Sequence, residues 1–179
     1  MFYYLFLLPL VTSSVYNPQE YELGPNLIVN SKFDTPYIPP PTQFFKIPSS
    51  ILGWNCSHTC QVVHVNRRCA GKSKTCTVSF EQGIDLLSSS TIDHYYQDIK
   101  IETSGQYYLS LLWMPPLVSP IGEVFGIIVN SVLVKNVTVT DGNYIDHLTE
   151  LIVDLSIGVN TLDIVYYKTG PDNYGVYVG

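Results

Sequence analysis

Residues 91–113, TIDHYYQDIKIETSGQYYLSLLW, constrain the fold more than any other stretch of the chain. Tyr95, Gln97, Ile99 and Ile101 alternate with His94, Tyr96, Asp98, Lys100 and Glu102. A period of two is the repeat of a β-strand, and the second set, whose charges alternate in sign, suits a solvated face. Ser104-Gly105 predicts a reversal, because glycine accepts the positive φ that a tight turn often needs. The return strand places Tyr107, Leu109, Leu111 and Trp113 on one face. Together they predict a hairpin. A two-stranded ribbon is marginal by itself, so its apolar side needs a second layer.

The rest of the chain offers strands for that layer. Residues 26–33 (NLIVNSKF) read as a first strand after the Gly24-Pro25 break. Pro36, Pro39, Pro40 and Pro41 make 35–43 a loop, since proline lacks the N–H that a ladder uses. Residues 51–54 are a short apolar arrival at Gly53-Trp54, and 61–66, 75–80 and 82–87 are further candidates. Past Trp113, a loop is punctuated by Pro115, Pro116 and Pro120. Residues 124–129 and 132–140 flank Asn130-Ser131, a two-residue turn, and Asp141-Gly142 is another turn signal. Residues 143–155 fit a helical stripe through Ile145, Leu148, Ile152 and Leu155. Leu151, Val153 and Leu155 fit a strand equally well. The strand is preferred over 150–155, because no other helix exists to pack against it. Residues 160–168 and 174–178 bring the total to about nine or ten strands, which predicts an all-β protein, an antiparallel sandwich or barrel.

The chain is 179 residues long, 46% hydrophobic and 13% charged, which argues for one domain with a real core and against disorder. Its formal charge of −6 disfavours nucleic acid as a partner, because phosphate affinity needs clustered cations. The 14 tyrosines suit strands and wet interfaces. Residues 2–11 form an uncharged apolar run, too short to span a bilayer comfortably, followed by Thr12, Ser13 and Ser14. We read 1–14 as a signal peptide, 15–25 as a linker and 26–179 as a single β-sandwich domain. A buried first strand is the competing reading of the apolar run. No later segment is long and apolar enough for a transmembrane segment. An extracellular or cell-surface location follows, and Asn136-Val137-Thr138 and Asn55-Cys56-Ser57 are N-glycosylation acceptors compatible with it.

All four cysteines, Cys56, Cys60, Cys69 and Cys76, fall within one short module. In an oxidising compartment such a set predicts disulfides, and a nested arrangement of Cys56 with Cys76 and Cys60 with Cys69 suits two antiparallel segments. Zinc, with help from His58 and His64, is the competing reading, but paired C-x-x-C knuckles are missing. The module also holds Arg67, Arg68, Lys72 and Lys74, with no acid between Cys56 and Phe80. This is a solvated basic loop or a contact for an acidic glycan.

Five landmarks occur in order: NLIVNSKF, Gly53-Trp54, YYQDIKIETSGQYYLSLLW, GVNTLDIVYY and DNYGVYVG. The run resembles secreted jelly-roll modules of the galactose-binding-like fold, such as the carbohydrate-binding modules of plant cell walls and bacterial surfaces. Those carry an opening N-L-x-x-N-x-x-F-E, a G-W, a G-x-N-T-L strand and a closing D-x-x-G-x-x-h-D. The resemblance spans most of 26–179 and implies a sandwich that binds glycan, with the cysteine module as an insertion. Here Asp34 replaces the opening Glu, and no closing acid is present up to Gly179. Some such modules hold a structural calcium on those acids. Asp34 alone does not support one, because calcium takes six to eight oxygens. No cofactor is therefore expected.

No catalytic motif is present: neither G-x-S-x-G, H-E-x-x-H, a phosphate loop nor a dinucleotide fingerprint. Glycan binding needs an aromatic platform beside polar groups, because a pyranose has an apolar face rimmed by hydroxyls. Candidate ligand-binding residues are His94 and Tyr96 on the polar strand face, Tyr144 in a loop, and the cluster Asp172, Asn173 and Tyr174. Trp54 and Trp113 read as core. Two functions fit: a non-catalytic glycan-binding module, or a structural subunit that packs on other extracellular proteins as a homo- or hetero-oligomer. In the second, a partner would complete the short last strand.

Overall fold

The computed structural model describes residues 6–9, 25–38, 44–47, 50–57, 60–64, 82–86, 94–115, 121–140, 146–167 and 176–179. Strands β1 (Phe6–Pro9), β2 (Phe44–Ile47), β5 (Cys60–His64), β6 (Gln82–Asp85), β8 (Gly105–Met114), β11 (His147–Leu155) and β13 (Tyr177–Val178) form a seven-stranded sheet. Strands β3 (Ser50–Ile51), β4 (Trp54–Cys56), β7 (His94–Ile101), β9 (Val124–Val129), β10 (Val132–Thr138) and β12 (Gly158–Tyr167) form a six-stranded sheet. All pairings are antiparallel. No helix occurs among the described residues. The expected all-β sandwich is therefore observed, and 150–155 is strand. The candidate strand 75–80, the basic cluster 67–74 and Asp141-Gly142 lie outside the described residues.

The expected hairpin is not formed. β7 pairs with β4 and β12, whereas β8 pairs with β1, β11 and β13 in the other sheet. Residues 102–104 cross between the layers, and Gly105 opens β8 without a positive φ. The alternation itself holds. Tyr95, Gln97, Ile99 and Ile101 are buried, while Tyr96, Asp98 and Lys100 are exposed. Tyr107, Leu109, Leu111 and Trp113 are buried as well. Each strand has one apolar face, so each serves as part of the other's second layer.

The connection Asn130-Ser131 is a two-residue reversal between β9 and β10, with φ of 50° and 66°. Two positive φ values match the right-handed twist of the flanking strands.

Residues 26–33 do not form a strand but a turning segment with positive φ at Asn30 (51°) and Phe33 (50°). Two buried glutamines take the place of a neighbouring strand. The Val29 N–H donates to Gln97 Oε1 at 2.7 Å, and Gln97 Nε2 donates back to the Val29 carbonyl at 2.9 Å. The Ile38 N–H donates to Gln82 Oε1 at 2.6 Å, and Gln82 Nε2 donates to the carbonyls of Phe33 (2.9 Å) and Pro36 (3.1 Å). Phe33 is thereby buried against Trp54, ring centroids 5.3 Å apart. Gly53 lies beneath. At φ 79° a Cβ there would stand 2.8 Å from Val29 Cβ, so the segment closes over the β3–β4 turn only above glycine.

The disulfide joins Cys56 to Cys60, with Cα atoms 5.5 Å apart, and replaces the nested pairing expected from sequence. Cys56 ends β4 in one sheet and Cys60 opens β5 in the other, so the bridge ties the two layers where the chain passes from one to the other. Cys69 and Cys76 lie outside the described residues.

Candidate functional site

The outer face of the six-stranded sheet brings two of the sequence candidates together. His94 and Tyr96 point outward from β7, as the alternation requires. Register places Asp163 of β12 beside Tyr96 on one side and Asn55 of β4 on the other. His94 Nδ1 lies 3.2 Å from Asp163 Oδ2. One strand position along, the Thr161 hydroxyl donates to Asp98 Oδ1 at 2.7 Å. The Asp163 side chain is 20% exposed and that of His94 41%. Tyr96, 36% exposed, stands next to this pair as an accessible aromatic. Tyr144, Asp172, Asn173 and Tyr174 lie outside the described residues.

Burial raises the Asp163 carboxyl above its ordinary value of 3.8, and the hydrogen bond and charge of His94 partly oppose that shift. Asp163 Oδ1 is buried without a hydrogen-bond partner, which accounts for the burial effect. The folded chain holds this proton to higher pH than the unfolded chain. Stability therefore falls as pH rises from 3.8 through the raised value. Asp163→Asn is expected to flatten that fall, seen as a shallower drop of Tm over that window. A drop identical to that of the unsubstituted chain would refute the assignment.

A second polar group lies between the sheets near the disulfide. The Tyr95 hydroxyl donates to the Asp85 carbonyl at 2.9 Å and accepts from the Gln61 N–H at 2.9 Å. Gln61 Nε2 donates to Asp85 Oδ2 at 3.1 Å. Tyr166 and Glu123 are also buried. Burial first, then the hydrogen bond to Glu123 and the charges of Glu123 and Asp85, hold the Tyr166 hydroxyl far above the usual tyrosine range. It is thus a fixed donor and not a general base. The group cross-links two layers in the same way as the disulfide beside it. Composition did not reveal it, because acids read as surface residues. The apolar flanks of Asp85, Ile84 and Leu86, were the available signal.

Trp54 and Trp113 are core, at 1% and 4% exposure. Trp113 Nε1 donates to Thr149 Oγ1 at 3.0 Å, and its ring stacks on His147 at 4.4 Å. Among the described residues, no group of three or more His, Cys, Asp or Glu could hold a metal ion. No helix of the described residues is long and apolar enough to cross a membrane. Asn55 and Asn136, which open the two N-x-S/T triplets, are both exposed.

No protein-family model and no curated protein matches the chain. Its course is similar to that of solved carbohydrate-binding modules. A family 35 module from Clostridium thermocellum shares 11% identity at a TM-score of 0.47, covering 76% of this chain and 94% of that one. TmCBM61, solved in complex with beta-1,4-galactotriose, shares 15% identity at a TM-score of 0.48, covering 87% and 94%. A part of the isomalto-dextranase of Arthrobacter globiformis T6 is also similar, at 11% identity and a TM-score of 0.44, covering 79% of this chain and 23% of the enzyme.

Proposed function

We propose that the chain is a secreted or cell-surface, non-catalytic module that binds glycan on the outer face of the six-stranded sheet. The supporting observation is Tyr96, exposed between Asn55 and Asp163 and next to the His94–Asp163 pair. A pyranose face stacks on the Tyr96 ring, and its hydroxyls meet Asp163, His94 and the Asn55 amide. In this reading residues 1–14 are a leader removed on secretion, and Asn136 carries a glycan. Asn136 is four strand spacings from Asn55, about 19 Å. A glycan on Asn55 would stand beside Tyr96, so Asn55 stays unmodified here.

The test is a glycan array on the secreted protein, alongside Tyr96→Ala. Losing one stacking platform removes about 1 kcal/mol or more, so binding is expected to weaken about fivefold or more. A Tyr96→Ala chain that binds as well as the unsubstituted one would eliminate this face.

A second reading, a structural subunit, is favoured by edge strand β10, where Val132, Leu133 and Val134 are 62%, 47% and 38% exposed. Such an edge invites another chain. Absence of glycan binding together with concentration-dependent association would select it.

A further inference from the structure

One edge of β8 is covered along its whole length by β11, from Gly105 opposite Leu155 to Trp113 opposite His147. The other edge is shared by two separate pieces of chain. β13 pairs Tyr177 with Met114 and Val178 with Trp113, and the Gly179 N–H donates to the Leu112 carbonyl at 3.1 Å. β1 then pairs Phe6 with Ser110, Leu7 with Leu109, Leu8 with Tyr108 and Pro9 with Tyr107. Both run antiparallel to β8, so they run in the same direction, end to end, as one composite strand. Only Leu111 lies between the two sets of pairings.

We propose that the Tyr107–Ser110 edge of β8 is an acceptor slot for a foreign apolar strand, occupied before processing by residues 6–9. The inference rests on the reading of residues 1–14 as a removable leader. Once that segment leaves, four residues of β8 lose their ladder partner on this side, and the edge presents backbone N–H and C=O groups with no strand opposite. Such an edge, continuous with the paired β13, is a template for another extended segment. The occupant is specified by the seat. It is an extended, uncharged segment of a partner protein, like the FLLP of β1, entering in the direction of β13. Main-chain hydrogen bonds supply the affinity, as in other cases of strand addition.

The experiment uses the full chain with a protease site inserted between Ser14 and Val15, cut after folding. A labelled peptide of residues 2–11, carrying a solubilising tail, is then added to cut and uncut protein. The peptide is expected to exchange into the cut protein alone and to slow about tenfold or more the hydrogen exchange of those Tyr107–Ser110 amides that face this edge rather than β11. A peptide with proline in place of Leu7 and Leu8 is expected not to enter, since it cannot complete the ladder. Equal uptake by cut and uncut protein, or no uptake by either, would overturn the slot. So would self-association of the cut chain that the peptide does not reverse. Mass analysis of the secreted protein addresses the leader separately. A retained N-terminus overturns the foreign occupant while leaving the peptide result to judge the slot itself.

Discussion

Replacing Gln82 by leucine is expected to destabilise the fold by about 3 kcal/mol or more, because three backbone groups lose their partner at once. Those groups are the Ile38 N–H and the carbonyls of Phe33 and Pro36. Gln82 is 3% exposed and Ile38 2%, so water is a poor substitute. Each orphaned buried group costs about 1–3 kcal/mol, and relaxation of the segment toward solvent recovers part of it. Gln97→Leu is the natural comparison. It orphans both polar groups of Val29, but that contact is only partly buried, and a smaller loss of about 2 kcal/mol is expected. Urea unfolding of both variants measures the difference. A Gln82→Leu midpoint equal to that of the unsubstituted protein would show that the amide does not hold the segment.

The second large effect concerns Trp54. Trp54→Ala is expected to cost about 3–5 kcal/mol, the usual range when a large aromatic leaves a close-packed core. The ring is 1% exposed and its loss also removes the surface on which Phe33 rests. Trp54→Phe should cost far less. Trp54 Nε1 is buried without a hydrogen-bond partner, so the substitution removes an unsatisfied donor along with the lost volume. Thermal unfolding of the pair separates packing from polarity. Similar losses for Ala and Phe would show that the volume of the ring is not what the core requires.

Both predictions fall on the segment that sequence reasoning placed least well. NLIVNSKF reads as a strand after the Gly24-Pro25 break, and its apolar residues Ile28 and Phe33 are indeed buried. The left-handed backbone at Asn30 and Phe33 breaks the ladder; asparagine tolerates that conformation, but phenylalanine gives no sign of it. The amides that hold the segment sit far along the chain, at positions 82 and 97. Gln97 occupied an otherwise apolar face, which was the only local hint of its role. The same limit applies to the site. His94 and Tyr96 were legible as a solvated face, but Asp163, 69 residues from His94, could be placed beside them only by the β7–β12 register.

The stretch 91–113 separates the two levels most clearly. Its side-chain periodicity was decided locally, because successive residues of an extended chain face opposite ways whatever they pair with. The inward set and the outward set follow from that alone, and the two-residue turn at Asn130-Ser131 is equally local, set by the residues between two strands. Which strands pair was not decided locally. β7 and β8 are joined by a short link yet belong to different sheets, since burying both apolar faces against one another outweighs pairing side by side. The Cys56–Cys60 bridge follows from the same layering, for it links the strands that the two sheets bring within reach. Periodicity is a property of the backbone, whereas partnership depends on covering apolar area across the whole chain.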